Sequence, residues 1–199
     1  LNGTRLYEVT EGVFYPSVTT VLSEYNRSAI EDWRKAVGEE VANEISSRAA
    51  RRGTRTHSFI EKYLRNSPVP LADPFIKEFF DNFIPILNDI NHIHLQETAL
   101  YSHHLRMAGT VDCIAEHQGR LSVIDFKTSN KLKEKSMIAN YFMQCAAYAI
   151  MYEELTSVPI NKLVVMIAVD DEKPQVFIEK RDNFVKELLK YRDIYEKTH

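Results

Sequence analysis

Asp112 and Asp125 flank a short turn signal, and Lys127 follows two residues later. They lie in Gly109-Thr-Val-Asp112-Cys-Ile-Ala-Glu-His-Gln-Gly-Arg-Leu-Ser-Val-Ile-Asp125-Phe-Lys127-Thr-Ser. Two alternating apolar runs surround Gln118-Gly119, which reads as a tight hairpin turn with glycine supplying a positive φ. In a two-residue loop His117 pairs with Arg120, and Asp112 then falls opposite Asp125. A four-residue loop keeps that register. Directly opposed residues have Cβ atoms roughly 4.5–5.5 Å apart, and like charges there are destabilising. The pair therefore calls for a cation, and hard oxygen ligands suit Mg²⁺ or Mn²⁺. Lys127 has the strand parity of Asp125 and points to the same face. Two acids and a lysine around a divalent ion are the equipment of metal-assisted phosphodiester hydrolysis. The competing reading is a pair of unrelated acids at surface strand ends. It sits poorly with Leu121-Ser-Val-Ile, which reads as a buried strand leading into Asp125.

The elements that must position these residues follow from periodicity and turn chemistry. Residues 5–9 and 12–15 suggest a small hairpin closed by Pro16, and Ser17-Val-Thr-Thr a short helix or turn. A helix is expected from Ser28, with Glu31 completing a capping box. Its stripe would be Ile30, Trp33, Val37, Val41 and Ile45, running toward Arg52, with Gly53 interrupting it. A second helix would carry His57 and Glu61, and Asn66-Ser-Pro-Val-Pro a loop. A third would span 73–90, with Phe75, Phe79, Phe83 and Leu87. Strands are expected at 94–103, 107–117 and 120–126, and a long helix at 136–155. Lys162 to Val169 reads as the best buried strand, Gln175 to Glu179 as an edge strand, and Arg181 to Lys197 as a terminal helix. That order gives an α/β fold with a central mixed sheet flanked by helices. The organisation is expected to be a single domain over 1–199, mainly helical in 1–92 and sheet-containing in 93–199.

Other residues could serve the same chemistry. His57 and Glu61 share a helix face, so His57 could reach a metal and Glu61 could orient a ligand. Glu97 could add a third carboxylate or support the site from behind it. Gln144 and Tyr148 are also four apart, on the helix after the Asp125 strand. Gln144 in an apolar stretch needs partners, while Tyr148 could stack on a base or pack in the core. Arg48, Arg51, Arg52 and Arg55 make a cationic helix face, and Lys127, Lys131, Lys133 and Lys135 a second basic group. Tyr15, Tyr141 and Tyr148 are the aromatic candidates near the site.

The 199 residues carry a net charge of −3, which argues against a general nucleic-acid coating protein. No apolar run approaches the length that spans a bilayer, and no targeting signal is seen at the start. Two cysteines, Cys113 and Cys145, are too few for a four-cysteine iron–sulfur cluster.

Together, Gly53-x-x-x-His57-x-x-x-Glu61, Gly109-x-Val-Asp112, Val-Ile-Asp125-Phe-Lys127-Thr-Ser and Gln144-x-x-x-Tyr148 resemble the RecB-like branch of the PD-(D/E)XK nucleases. Tyr15-Pro-Ser-Val-Thr-Thr-Val-Leu and Glu97-Thr extend the resemblance to the family of mitochondrial genome maintenance exonucleases and their phage relatives. The resemblance implies a Mg²⁺- or Mn²⁺-dependent deoxyribonuclease with one or two ions, acting on free ends of single-stranded DNA or on flaps. Asp112, Asp125 and Lys127 would be catalytic. His57, Asp112, Asp125 and Phe126 would hold metal, with Glu61 and Glu97 supporting them. Arg51, Arg55, Thr128, Ser129, Lys131, Gln144 and Tyr148 would contact DNA. A cytoplasmic, phage-encoded or microbial version is expected, with no membrane and no obligate protein partner. An endonuclease of the same fold and a non-catalytic DNA-binding module are the alternatives.

Overall fold

The computed structural model describes residues 5–69 and 74–199. It opens with the expected hairpin, β1 (Leu6–Thr10) and β2 (Val13–Pro16), paired antiparallel. Then come α1 (Val18–Val37), α2 (Glu39–Leu64) and α3 (Pro74–Leu87), followed by β3 (Ile90–Ser102), β4 (Met107–His117) and β5 (Arg120–Ser129). A 3-10 turn at Lys135–Met137 leads into α4 (Ala139–Thr156), and β6 (Lys162–Val169), β7 (Gln175–Lys180) and α5 (Asp182–Thr198) complete the chain. The large sheet has the order β3-β4-β5-β6-β7, antiparallel throughout except for the parallel β5–β6 pair. It is the expected mixed sheet. Asp73, Pro70 and residues 1–4 lie outside the described residues, as do the side chains of Phe75 and Phe79.

Two apolar layers cover the sheet. On one face α1, α4 and α5 bring Val18, Val21, Phe142, Ala146 and Leu188 onto Ile114, Val123, Leu163, Val165 and Ile167. On the other, α2 and α3 bring Ile60, Phe80, Phe83 and Leu87 onto Cys113, Ile124, Phe126, Val164 and Met166. β6 therefore feeds alternate residues to both layers. A strand buried on both faces needs apolar side chains at every position, which explains its unbroken run. No described helix is long and apolar enough to cross a membrane.

The N-terminal helices depart from expectation. Ser28 starts nothing. The cap is Ser17, whose hydroxyl accepts the Thr20 N–H at 3.0 Å, and α1 runs unbroken through Ser28. The chain turns at Gly38, with φ +87°, and not at Gly53, which lies inside α2. Only a glycine holds such a conformation without strain. The stripe from Ile30 to Ile45 therefore belongs to two different helices. Ile30, Val41 and Ile45 are nearly half exposed, because that part of the helix pair projects away from the sheet.

Ser17 is 2% exposed and also bonds the hydroxyls of Thr19 and Thr20. Ser17→Ala should cost about 0.5–2 kcal/mol, read as a lowered thermal midpoint with metal binding unchanged.

Candidate active site

Gln118 and Gly119 both adopt positive φ, at +51° and +71°, and close β4 onto β5. Pairing runs from His117↔Arg120 to Cys113↔Ile124, so the next rung is Asp112 against Asp125, as the spacing demands. There the ladder gives way. The Phe126 N–H donates to Asp112 Oδ2 at 2.8 Å. On the other side of β4, Gln96↔Cys113 and Thr98↔Val111 bracket Glu97 against Asp112. Glu97, Asp112 and Asp125 thus form one row on three adjacent strands. Glu97 sits there with φ +47°, a conformation that costs a non-glycine residue of order 1–3 kcal/mol.

Two cations of the chain face this row. Lys127 Nζ stands 2.6 Å from Asp125 Oδ1 and 2.5 Å from Oδ2. Only the first contact has hydrogen-bond geometry, which leaves Oδ2 buried without a partner. Lys127 also reaches Gln144 Oε1 at 3.4 Å and lies 5.1 Å from the centre of the Tyr141 ring. From α2, His57 Nε2 donates to the Phe126 carbonyl at 2.8 Å. Its Nδ1 lies 3.5 Å from Asp112 Oδ1 and 3.6 Å from Glu97 Oε1.

Burial and charge act against each other here. Asp112 and Asp125 are 9% and 2% exposed. Burial raises both carboxyls, Asp125 to about 6, although Lys127 draws them down. Burial alone would strip the proton from His57, but Glu97, Asp112 and Asp125 outweigh it and raise the imidazole to about 9. Burial likewise disfavours charge on Lys127, yet Asp125 and Asp112 hold its ammonium well above its usual range. Lys127 is therefore a positive charge and a donor at neutral pH.

His57, Glu97 and Asp112 each offer one ligand atom within 4.8 Å of the others. One nitrogen and two carboxylates fit a hard divalent cation. Glu97, read as either a third carboxylate or a support behind the site, is one of that trio. Asp125, expected among the ligands, is turned to Lys127.

The remaining candidates are placed more variously. Glu61 pairs with Arg65 at 3.0 Å, away from the trio. Tyr148 is 3% exposed and packs in the core, so it offers no face to a base. Gln144, one turn before it on α4, accepts from Lys127. Tyr15 instead bonds His103 at 2.8 Å. The Ser129 hydroxyl is occupied by the Lys131 backbone, donating to the carbonyl at 2.6 Å, and shapes that turn. A groove of about 800 Å³ opens beside the row. Arg48, Arg51, Arg52 and Arg55 line one side, and Thr128, Ser129, Lys133 and Tyr141 the other. Phe59, Phe80 and Phe83 give it an apolar floor, which the sequence signals only as core.

The carboxylate row on a mixed sheet defines the class. The PD-(D/E)XK nuclease superfamily matches residues 17–196, and the chain belongs to it. Mitochondrial genome maintenance exonuclease 1 of Homo sapiens is 30% identical over 181 residues, 80% of this chain and 50% of that protein. The Mus musculus protein of the same name is 26% identical over 174 residues, again 80% of this chain and 51% of its own. The chain thus spans about half the length of these curated relatives. The crystal structure of SSO0001 aligns over 89% of this chain and 84% of its own, with 13% identity and a TM-score of 0.42. So distant a likeness carries no functional weight.

Two outcomes follow from this geometry. A Cβ on Gly109 would lie 2.6 Å from the Tyr148 hydroxyl and 3.2 Å from its ring. The ring is buried and cannot swing away, so Gly109→Ala should cost about 1–3 kcal/mol by overpacking and lower the thermal midpoint accordingly. The second concerns pH. A group with a raised folded-state pKa stabilises fully below its unfolded value and loses that contribution as pH rises through the folded one. In chelator-treated protein, the His57 contribution should therefore fade between pH 6.5 and about 9. Thermal melts across that window should fall for the native chain and run flatter for His57→Gln.

Proposed function

We propose that this chain is a Mg²⁺- or Mn²⁺-dependent deoxyribonuclease that digests single-stranded DNA or flaps from a free end. The observation that carries this reading is the carboxylate row with Lys127 opening beside a groove walled by arginines. His57, Asp112 and Glu97 would hold the cation, with Asp125 and the Phe126 carbonyl next to them. Bound there, a divalent ion would supply Lewis acidity, offsetting charge on the scissile phosphate and acidifying water. The protein's own part is positional and electrostatic. Lys127 keeps its proton and aims a positive charge at the reacting phosphate, where oxyanion charge develops. Gln144 accepts from the lysine and steadies it. Glu97 and Asp112 hold His57 upright between them.

The groove supports a single strand. Phosphates would run along Arg51 and Arg55, with Thr128 and Lys131 near the reacting end. Bases would lie over the half-buried rings of Phe59 and Tyr141, since base–aromatic stacking is worth roughly 1–3 kcal/mol per base. A long duplex footprint needs a cation for each phosphate contact, and the net charge of −3 supplies no such excess. The curated relatives named above are exonucleases, which agrees with dependence on ends.

Lys127→Ala should keep metal and DNA binding but lose on the order of 10²–10³ in turnover, as removal of one aimed donor does. Unchanged turnover with a flatter salt dependence of binding would make Lys127 a backbone contact instead. For the substrate, end-labelled linear single strands, closed single-stranded circles and blunt duplexes should be compared in Mg²⁺. Rapid loss of the linear strand alone is expected. Nicking of the circle, or equal rates on blunt duplex, would replace the exonuclease by an endonuclease.

A further inference from the structure

Arg48 pairs along its own helix with Glu44, whereas Arg52 reaches across to the sheet. Its Nη1 is bonded to Oδ2 of Asp170, the residue after β6. The Asp170 N–H donates to the Ser129 carbonyl at 3.0 Å, which fixes it to the end of the β5–β6 ladder. Both residues line the groove, one on α2 and one on the sheet. Their ion pair therefore crosses it. A carboxylate in an arginine-lined groove opposes a polyanionic substrate, so its presence calls for a structural reason.

The position along α2 supplies one. Between Glu39 and Arg51 the helix buries only Ala42, whereas Thr56 and Ile60 are buried beyond the pair. Arg52–Asp170 is thus where α2 first takes hold of the sheet, one and a half turns before His57. The pair is about a quarter exposed on each side. Arg52 Nε and Asp170 Oδ1 are buried with no hydrogen-bond partner, so no wider polar network takes over if the pair is broken. His57 itself has one hydrogen bond to the sheet, to Phe126. A functional side chain must be held within about 0.5 Å of its working position; Thr56 and Ile60 anchor α2 around and after His57, and the ion pair is the tie on its other side, where the helix leaves the sheet.

We propose that Arg52 and Asp170 are positioning residues whose ion pair fixes α2 against the end of β6, holds His57 over the carboxylate row and sets the width of the groove. The proposal rests on the reading of His57 as a metal ligand. A guanidinium committed to Asp170 is, on this reading, not a phosphate contact.

The test uses the full chain with Asp170→Asn, Arg52→Gln, Arg52→Lys, His57→Gln and the double variant Asp170→Asn/His57→Gln. Mn²⁺ is titrated calorimetrically without DNA, and an oligonucleotide in EDTA at several salt concentrations. Partly exposed ion pairs contribute little to stability, so thermal midpoints should stay near that of the native chain. Asp170→Asn and Arg52→Gln should each weaken Mn²⁺ binding about tenfold, the lower end for a group that orients a ligand. Arg52→Lys should recover part of that loss. In the His57→Gln background, Asp170→Asn should weaken Mn²⁺ no further, and alone it should leave oligonucleotide binding equal or tighter. Normal Mn²⁺ affinity in Asp170→Asn, with His57→Gln impaired, overturns the positioning role alone. Weaker oligonucleotide binding in Arg52→Gln, with a salt slope lower by about one and unchanged Mn²⁺ affinity, overturns it in favour of a phosphate contact. If His57→Gln itself leaves Mn²⁺ binding intact, the ligand reading fails and this proposal falls with it.

Discussion

Three carboxylates in one row, two of them buried, are the constraint to which the rest of the structure answers. Buried acids repel each other and lose their hydration, so each must be met by a cation or a donor. Lys127 meets Asp125, the Phe126 amide meets Asp112, and His57 stands between Asp112 and Glu97. Those partners come from β5 and from α2, a helix on the opposite face of the sheet from α4. The row therefore ties together both layers of the fold. Any element that shifts one partner leaves a charge uncompensated.

The same constraint explains why the strands part where they do. Up to Cys113 and Ile124, β4 and β5 exchange ordinary backbone bonds. At Asp112 the side chain takes over the Phe126 amide, and β5 continues alone beside β6 as far as Ser129. The parting makes room for His57 to reach the Phe126 carbonyl. It also leaves the end of β5 free to border the groove. The carboxylate row and the groove thus share one origin, a ladder that stops one rung early.

Much of this was legible in the chain because period-2 alternation and a Gln-Gly turn are local signals. The hairpin register, the parity of Asp125 and Lys127, and the doubly buried β6 all follow from them. The helix break was misplaced because Gly53 and Gly38 look alike in sequence, and only the packing of α1 onto α4 and α5 decides which one turns. The Ile30 to Ile45 stripe has helical spacing, but spacing does not say whether a helix reaches the sheet. Two places stay open for Glu97 in the sequence, since nothing in its neighbours announces a left-handed residue inside a strand. Asp170 was missed altogether. Its partner is 118 residues away in the chain, and no periodic pattern links such positions. Tyr148 was open between stacking and packing until Gly109 was seen to press against it.

The parallel pairing of β5 with β6 also bears on how the protein is made. Ser122 meets Lys162, forty residues later, with the whole of α4 between them. Pairing at that separation is slow, because the chain must close a long loop before any contact rewards it. A ribosome adds about 5–20 residues per second, so Asp125 leaves it seconds before the strand that buries it. The nascent chain therefore carries its acids exposed, solvated and spread apart. The site is completed only when β6 arrives, well after its acids have left the ribosome.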